Sequence, residues 1–238
     1  MSTINKQEES KLKKIEDVFF IGNQGKVQVQ VHNSTNVRPR IAVILPNDPN
    51  QYMGSMDNPI VNLINEQFVK FNFTTIKMNF KGVGKSDGKF EGAEKELINI
   101  TFLVDWILNN YNGIELWMCG FSFGAWAAMQ IMMRRPEVTK FLIVAPLCNK
   151  YDFSFLSPCP IGGLIVHGTS DSITPVNALK DLVAKSLKQK KHNIQVKYIQ
   201  NADHFFRNKE KDLANVISSY IETTIKEKIE DDNMDILI

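Results

Sequence analysis

The chain has 238 residues, 43% of them hydrophobic, with 28 basic and 26 acidic side chains and a formal charge of +2. That balance argues against nucleic acid or an anionic membrane as the main partner, and no run approaches the roughly 18 apolar residues of a spanning helix. The apolar content suffices for one core, so a single domain is expected over residues 15–228, between a polar tail at 1–14 and an acidic tail at 229–238 that frays.

The polar start from Met1 to Lys14 has no apolar run behind it, which argues against a secretory leader and for a soluble, cytoplasmic protein. Cys119, Cys148 and Cys159 show no metal-ligand spacing, and an odd count does not suggest a disulfide framework. Free thiols are expected, and no metal.

In chain order, Val18–Ile21 and the alternating Val27–Val31 flank Gly22-Asn23-Gln24-Gly25, which predicts an antiparallel hairpin at a sheet edge. Short apolar runs follow at Ile41–Leu45, Phe73–Met78, Ile114–Met118, Phe141–Ala145, Gly163–Val166 and Ile194–Ile199. Such runs fit strands buried on both faces of a parallel sheet. Helical spacing spans Glu96–Leu108, good helix formers span Ala125–Arg134, and Thr174-Pro175 opens a helix ending near Lys188. Leu213–Lys226 forms the last helix. Alternating strands and helices predict an α/β fold with a doubly wound, mostly parallel sheet.

The pattern Gly120-Phe121-Ser122-Phe123-Gly124 follows a predicted strand and opens a predicted helix. That context forces a serine into a strained, exposed turn, with glycines where side chains would collide with the neighbouring strand and helix. The helix N-terminus would face a forming oxyanion, with the Phe123 N–H as a natural donor. A serine nucleophile needs a base oriented by a carboxylate, and in this arrangement the chain order is serine, acid, histidine. Asp171 and His204 satisfy that order, and both follow strand ends, where an open α/β sheet places its site. His167 precedes Asp171, His32 belongs to the hairpin and His192 lies in a Lys-rich stretch, so these read as non-catalytic.

Gly82-Val83-Gly84-Lys85-Ser86 ends like a phosphate-binding loop, but the motif needs a glycine where Asn79 stands, and Asp87 breaks a dinucleotide fingerprint. A tight loop beside the site is the plainer reading.

With these residues placed, the chain resembles the α/β-hydrolase superfamily, and within it a small, lidless bacterial group related to the dienelactone hydrolases. The resemblance runs from about Val31 to Leu213. It is carried by Gly54-Ser55-Met56-Asp57-Asn58, Asn79 through Ser86, Gly120 through Trp126, Tyr151 through Leu156, and Ala202-Asp203-His204-Phe205-Phe206. It implies Ser122, Asp171 and His204 as nucleophile, acid and base, no cofactor, and no nucleotide role for the Lys85-Ser86 loop. The family usually carries His-Pro-His-Pro after its third strand, a segment that supplies a second oxyanion N–H. Here it reads Pro46-Asn47-Asp48-Pro49, which leaves Asn47 or Asp48 as donor because proline has no N–H.

The expected activity is ester or related acyl cleavage through an acyl-enzyme, on a small-molecule acyl substrate, with thioester and peptide cleavage left open because the triad does not choose among leaving groups; a homodimer is also left open. The stretch between Ala145 and Gly163 is too short for a cap domain, so a shallow cleft lined by Phe121, Phe123, Phe153, Phe155 and Phe205 is expected. The rival reading is a non-catalytic scaffold of the same fold that binds a ligand or protein partner.

Overall fold

The computed structural model describes residues 15–36, 39–51, 53–187 and 194–235. The polar tail, Lys188 and His192 lie outside them.

Eight strands form one sheet: β1 (Ile15–Gly22), β2 (Gly25–His32), β3 (Arg40–Leu45), β4 (Thr74–Met78), β5 (Glu115–Phe121), β6 (Val138–Val144), β7 (Gly163–Gly168) and β8 (Ile194–Ile199). Their spatial order is β1-β2-β4-β3-β5-β6-β7-β8. The pairs from β4–β3 through β7–β8 are parallel, and β1–β2 and β2–β4 are antiparallel. The expected hairpin is present at the edge: Gly22 pairs with Gly25, leaving Asn23-Gln24 as the turn.

Among the described residues five helices cover the two faces: α1 (Pro59–Lys70), α2 (Ala93–Asn110), α3 (Phe123–Met132), α4 (Val176–Leu182) and α5 (Glu210–Asp235). Two apolar cores result. Ile41, Val43, Leu45, Leu116 and Met118 pack with α2 and α3, while Ala42, Ile44, Trp117, Cys119 and Phe121 pack with α1 and α5. Alternate residues of one strand therefore feed opposite cores, which is why these strands read as unbroken apolar runs.

Helix α1 has no counterpart in the sequence reading, although its signals are present. Asn58 caps it by accepting the Ile60 N–H at 2.8 Å, Pro59 opens it, and Ile60, Val61, Ile64 and Phe68 form its buried stripe. The last helix starts before Leu213 and its backbone stays helical to Asp235, where fraying after residue 228 was expected. No Gly or Pro interrupts that run, and Lys226 pairs with Glu222 one turn earlier at 2.7 Å, so nothing stops the helix at residue 228. The helix after Pro175 ends at Leu182 and passes into a π-turn over Val183–Leu187. Between β6 and β7 the regular structure is a single 3₁₀ turn, Ser154–Leu156, so no cap covers the strand ends. Among the described residues no helix is long and apolar enough to cross a membrane.

Candidate active site

Strand β5 runs directly into Ser122, whose backbone sits at φ 57°, ψ −112°. For a residue with a Cβ that conformation costs about 1–3 kcal/mol, so its surroundings must hold it. Ser122 N–H donates to the Val144 carbonyl at 2.9 Å, and Ala125 N–H donates to the Ser122 carbonyl at 3.2 Å. The flanking glycines have a steric reason. A Cβ on Gly120 would lie 2.2 Å from the Gly124 carbonyl oxygen, and one on Gly124 would lie 2.3 Å from that of Leu45. The turn, the end of β3 and the start of α3 are thus packed backbone to backbone.

Asp171 and His204 come from adjacent strand ends. Asp171 follows β7, and its Oδ1 accepts the N–H groups of Ile173 and Thr174, each at 2.8 Å. Its Oδ2 lies 2.7 Å from His204 Nδ1, and His204 Nε2 lies 3.0 Å from Ser122 Oγ. A carboxylate accepts only, so Nδ1 carries the proton and Nε2 is left to accept from the hydroxyl. The His204 loop abuts the end of β7 because Gly168 has no side chain: a Cβ there would meet the Ala202 carbonyl oxygen at 2.4 Å. Asp203 then shapes the loop, its Oδ1 accepting from Phe205 N–H at 3.1 Å and Arg207 N–H at 3.0 Å. All three polar side chains are buried.

His167 takes no part in that chain of bonds but supports it. It is buried, its Nε2 is 2.9 Å from the Thr174 carbonyl, and it stands 3.8 Å from Asp171 Oδ2. Its Nδ1 meets no hydrogen-bond partner among the described residues. Burial holds its pKa below the ordinary 6.5, against the opposing pull of the Thr174 bond and of Asp171, and with a small further push from His204. Below 6.5 the unfolded chain takes up a proton here that the native state refuses, so stability falls as pH drops from 6.5 towards the lowered native value. His167→Gln keeps an N–H for Thr174 and is expected to flatten that part of the stability curve. Urea midpoints for both proteins at about pH 7.5 and about pH 5.5 check this.

Phe123 opens α3, so its N–H has no carbonyl within the helix and points towards the serine end. Across the turn, Asn47 and Asp48 are buried, and Gly54 packs on their segment: a Cβ there would lie 2.1 Å from the Asp48 carbonyl oxygen. The Asp48 N–H donates to Asn47 Oδ1 at 2.6 Å, and the Asp48 carboxylate accepts the Asn50 N–H at 2.9 Å. That charge is thus held by its own turn.

The expected aromatic lining is dispersed. Phe121 is fully buried and packs against the His204 ring at 5.3 Å, because strand alternation turns it into the α1/α5 core. Phe123 is likewise buried, stacked on Trp126. Phe153 stacks with Phe155 and borders a cavity of about 380 Å³ that also touches Cys148 and Tyr151. Phe205 borders a separate cavity of about 460 Å³ with Met53, Asn58, Pro59, Ile60, Arg207 and Glu210. Met53, Pro59 and Ile60 were not among the expected site residues; the Asn58-Pro59 helix start was the signal for them.

The Lys85-Ser86 loop binds the edge hairpin. Lys85 N–H donates to Gln28 Oε1 at 2.8 Å and its Nζ reaches Asp17 at 3.1 Å, while Ser86 Oγ accepts the Gln28 N–H at 2.9 Å. No disulfide joins the cysteines, and burial pushes the Cys148 thiol up to about 12.

A mostly parallel sheet with no cap, a strained serine after its central strand, and an aspartate and a histidine after later strands define an α/β-hydrolase fold. Solved structures agree. One is a protein of unknown function from Agrobacterium tumefaciens classed with the α/β hydrolases: 36% identical, TM-score 0.85, covering 89% of this chain and 97% of that one. Another, a serine hydrolase without lid from Xanthomonas campestris, is 23% identical with TM-score 0.78, covering 88% and 94%, and speaks to the fold alone. An uncharacterized protein of Rickettsia prowazekii is 40% identical over 211 residues, 87% of this chain and 88% of its own length. Residues 89–232 match the dienelactone hydrolase family, and the chain belongs to that family.

Proposed function

We propose that the protein is a serine hydrolase that cleaves carboxylic esters or related acyl compounds of small molecules through an acyl-enzyme. The observation that carries this is the unbroken chain Ser122 Oγ, His204 and Asp171, at 3.0 and 2.7 Å, built on a strained elbow. Structural roles do not require a buried serine, histidine and carboxylate in that order, with the serine backbone held in an unfavourable region.

In this reading Ser122 Oγ attacks the substrate carbonyl carbon as His204 Nε2 takes its proton. Asp171 fixes the imidazole tautomer and stabilises the imidazolium without itself taking the proton. The Phe123 N–H and a second N–H from Asn47 or Asp48 hold the tetrahedral oxyanion, aided by the α3 dipole. If Asp48 serves, it must first leave the Asn47 side chain, a rearrangement that substrate would drive. His204 returns the proton to the leaving group, and water then cleaves the acyl-enzyme by the same route. Nothing in this sequence of steps calls for a metal or an organic cofactor.

A fluorophosphonate probe is expected to label the folded protein, with labelling lost in Ser122→Ala. Intact-mass measurement of one adduct, mapped to the peptide carrying Ser122, checks it. A folded wild type that resists labelling would favour the rival reading, a ligand-binding scaffold of the same fold.

A further inference from the structure

Acyl transfer at Ser122 divides a substrate in two. The acyl part stays on the serine, and the leaving group departs with a proton from His204 Nε2. The leaving atom must therefore come within hydrogen-bond reach of His204, which puts the leaving group on the His204 side of the serine.

The 460 Å³ cavity is joined to His204 by one residue of its lining, Phe205. Phe205 follows His204 and stands edge-on to its imidazole, ring centres 5.2 Å apart. Met53, also in the lining, precedes Gly54, whose backbone rests against Asp48 in the oxyanion segment. The cavity is thus bounded by the base loop, by the segment buttressing the oxyanion loop, and by the first turn of α1.

Each polar side chain of its lining already holds at least one bond. Asn58 Oδ1 accepts the Ile60 N–H at 2.8 Å and its Nδ2 donates to the Met53 carbonyl at 3.0 Å. The Arg207 guanidinium pairs with Asp203 at 2.8 Å and lies 5.5 Å from the Phe205 ring centre. Glu210 Oε1 accepts the Asn208 N–H at 3.2 Å. Met53, Pro59, Ile60 and Phe205 supply the apolar part of the lining, and the opposite charges of Arg207 and Glu210 leave it without a net charge that would recruit an ion, which suits a neutral group.

We infer that this cavity receives the leaving group, and that the preferred substrates are esters of neutral, apolar alcohols larger than ethanol, arylalkyl alcohols among them. The inference rests on the serine-hydrolase reading. As the Ser122 Oγ–acyl bond forms, the bond from the acyl carbon to the alcohol oxygen breaks. The serine proton passes through His204 to that oxygen, and a neutral alcohol leaves.

The test compares 2-phenylethyl acetate with ethyl acetate, and ethyl acetate with ethyl octanoate. Wild type, Met53→Trp and Met53→Ala are assayed. Met53 is 44% exposed, so both variants are expected to fold, which thermal melting verifies. Wild type should favour 2-phenylethyl over ethyl acetate by about tenfold or more in kcat/KM. Met53→Trp, filling the cavity, should cut that preference about tenfold, and Met53→Ala should keep it. The acyl-length ratio should stay within about twofold in both variants. Deacylation of the acetyl-enzyme, common to both acetates, should not change. An active, probe-labelled enzyme that ignores the alcohol, whose alcohol preference survives Met53→Trp, or whose acyl-length selectivity moves instead, overturns this inference alone. A folded protein that neither labels nor turns over any ester removes the serine-hydrolase reading and this inference with it.

Discussion

Replacing His204 with alanine is expected to lower kcat/KM towards any ester the protein turns over by a factor on the order of 10⁵–10⁶. The Ser122 hydroxyl donates to His204 Nε2 at 3.0 Å, and the described residues offer no other base at that oxygen. The double variant with Ser122→Ala should be scarcely worse than either single one, because serine and histidine act as one unit. Asp171→Asn should cost on the order of 10⁴ for a different reason. Two backbone N–H groups, from Ile173 and Thr174, point at Oδ1 of this side chain. Asparagine must keep its oxygen there, which turns its NH₂ towards His204 Nδ1. The imidazole then carries its proton on Nε2 and cannot accept from the serine. A chromogenic ester assay with matched melting curves checks all four variants, which should melt close to wild type.

Gly124→Ala should damage the fold as well as the activity. The added methyl would sit 2.3 Å from the Leu45 carbonyl oxygen and 2.4 Å from that of Pro46, both backbone atoms at the end of β3. Neither is the yielding end of a side chain, so the strand end and the helix must part. A loss of about 3 kcal/mol or more is expected, a fall in Tm of about 6–12 °C for a chain of this length. The displaced segment is the one carrying Asn47 and Asp48, so surviving folded protein should also lose on the order of 10²–10³ in turnover. Differential scanning calorimetry and kcat measured below the transition separate the two effects.

These two outcomes divide what could be read along the chain from what could not. The meeting of Ser122, His204 and Asp171 was legible because it is tied to features with local signatures. Gly120 and Gly124 bracket the strained serine, and Asp171 and His204 each follow an apolar strand run, in the order such a sheet imposes. The six interior strands were legible because burial on both faces leaves unbroken apolar runs. Helix α1 carries its marks in Asn58-Pro59 and its apolar stripe, but they are weaker than those of the strands on either side.

The aromatic residues mark the limit. Phe121 and Phe205 stand equally close to triad residues in sequence, and both touch the His204 ring. Phe121 ends a strand and is turned into a core, whereas Phe205 sits in a loop and borders a cavity. Which side chain meets solvent depends on where α1, α5 and the oxyanion segment pack, and those contacts link residues far apart in the chain. The bond between Asn47 and the Asp48 N–H, and the support that His167 lends to the acid turn, are of the same kind. The chain by itself determined the fold class and singled out Ser122, Asp171 and His204, because backbone strain and burial on both sheet faces leave marks on neighbouring residues. Only the tertiary structure decided the lining, size and polarity of the cavities beside them, because a cavity is bounded by segments that become neighbours only after folding.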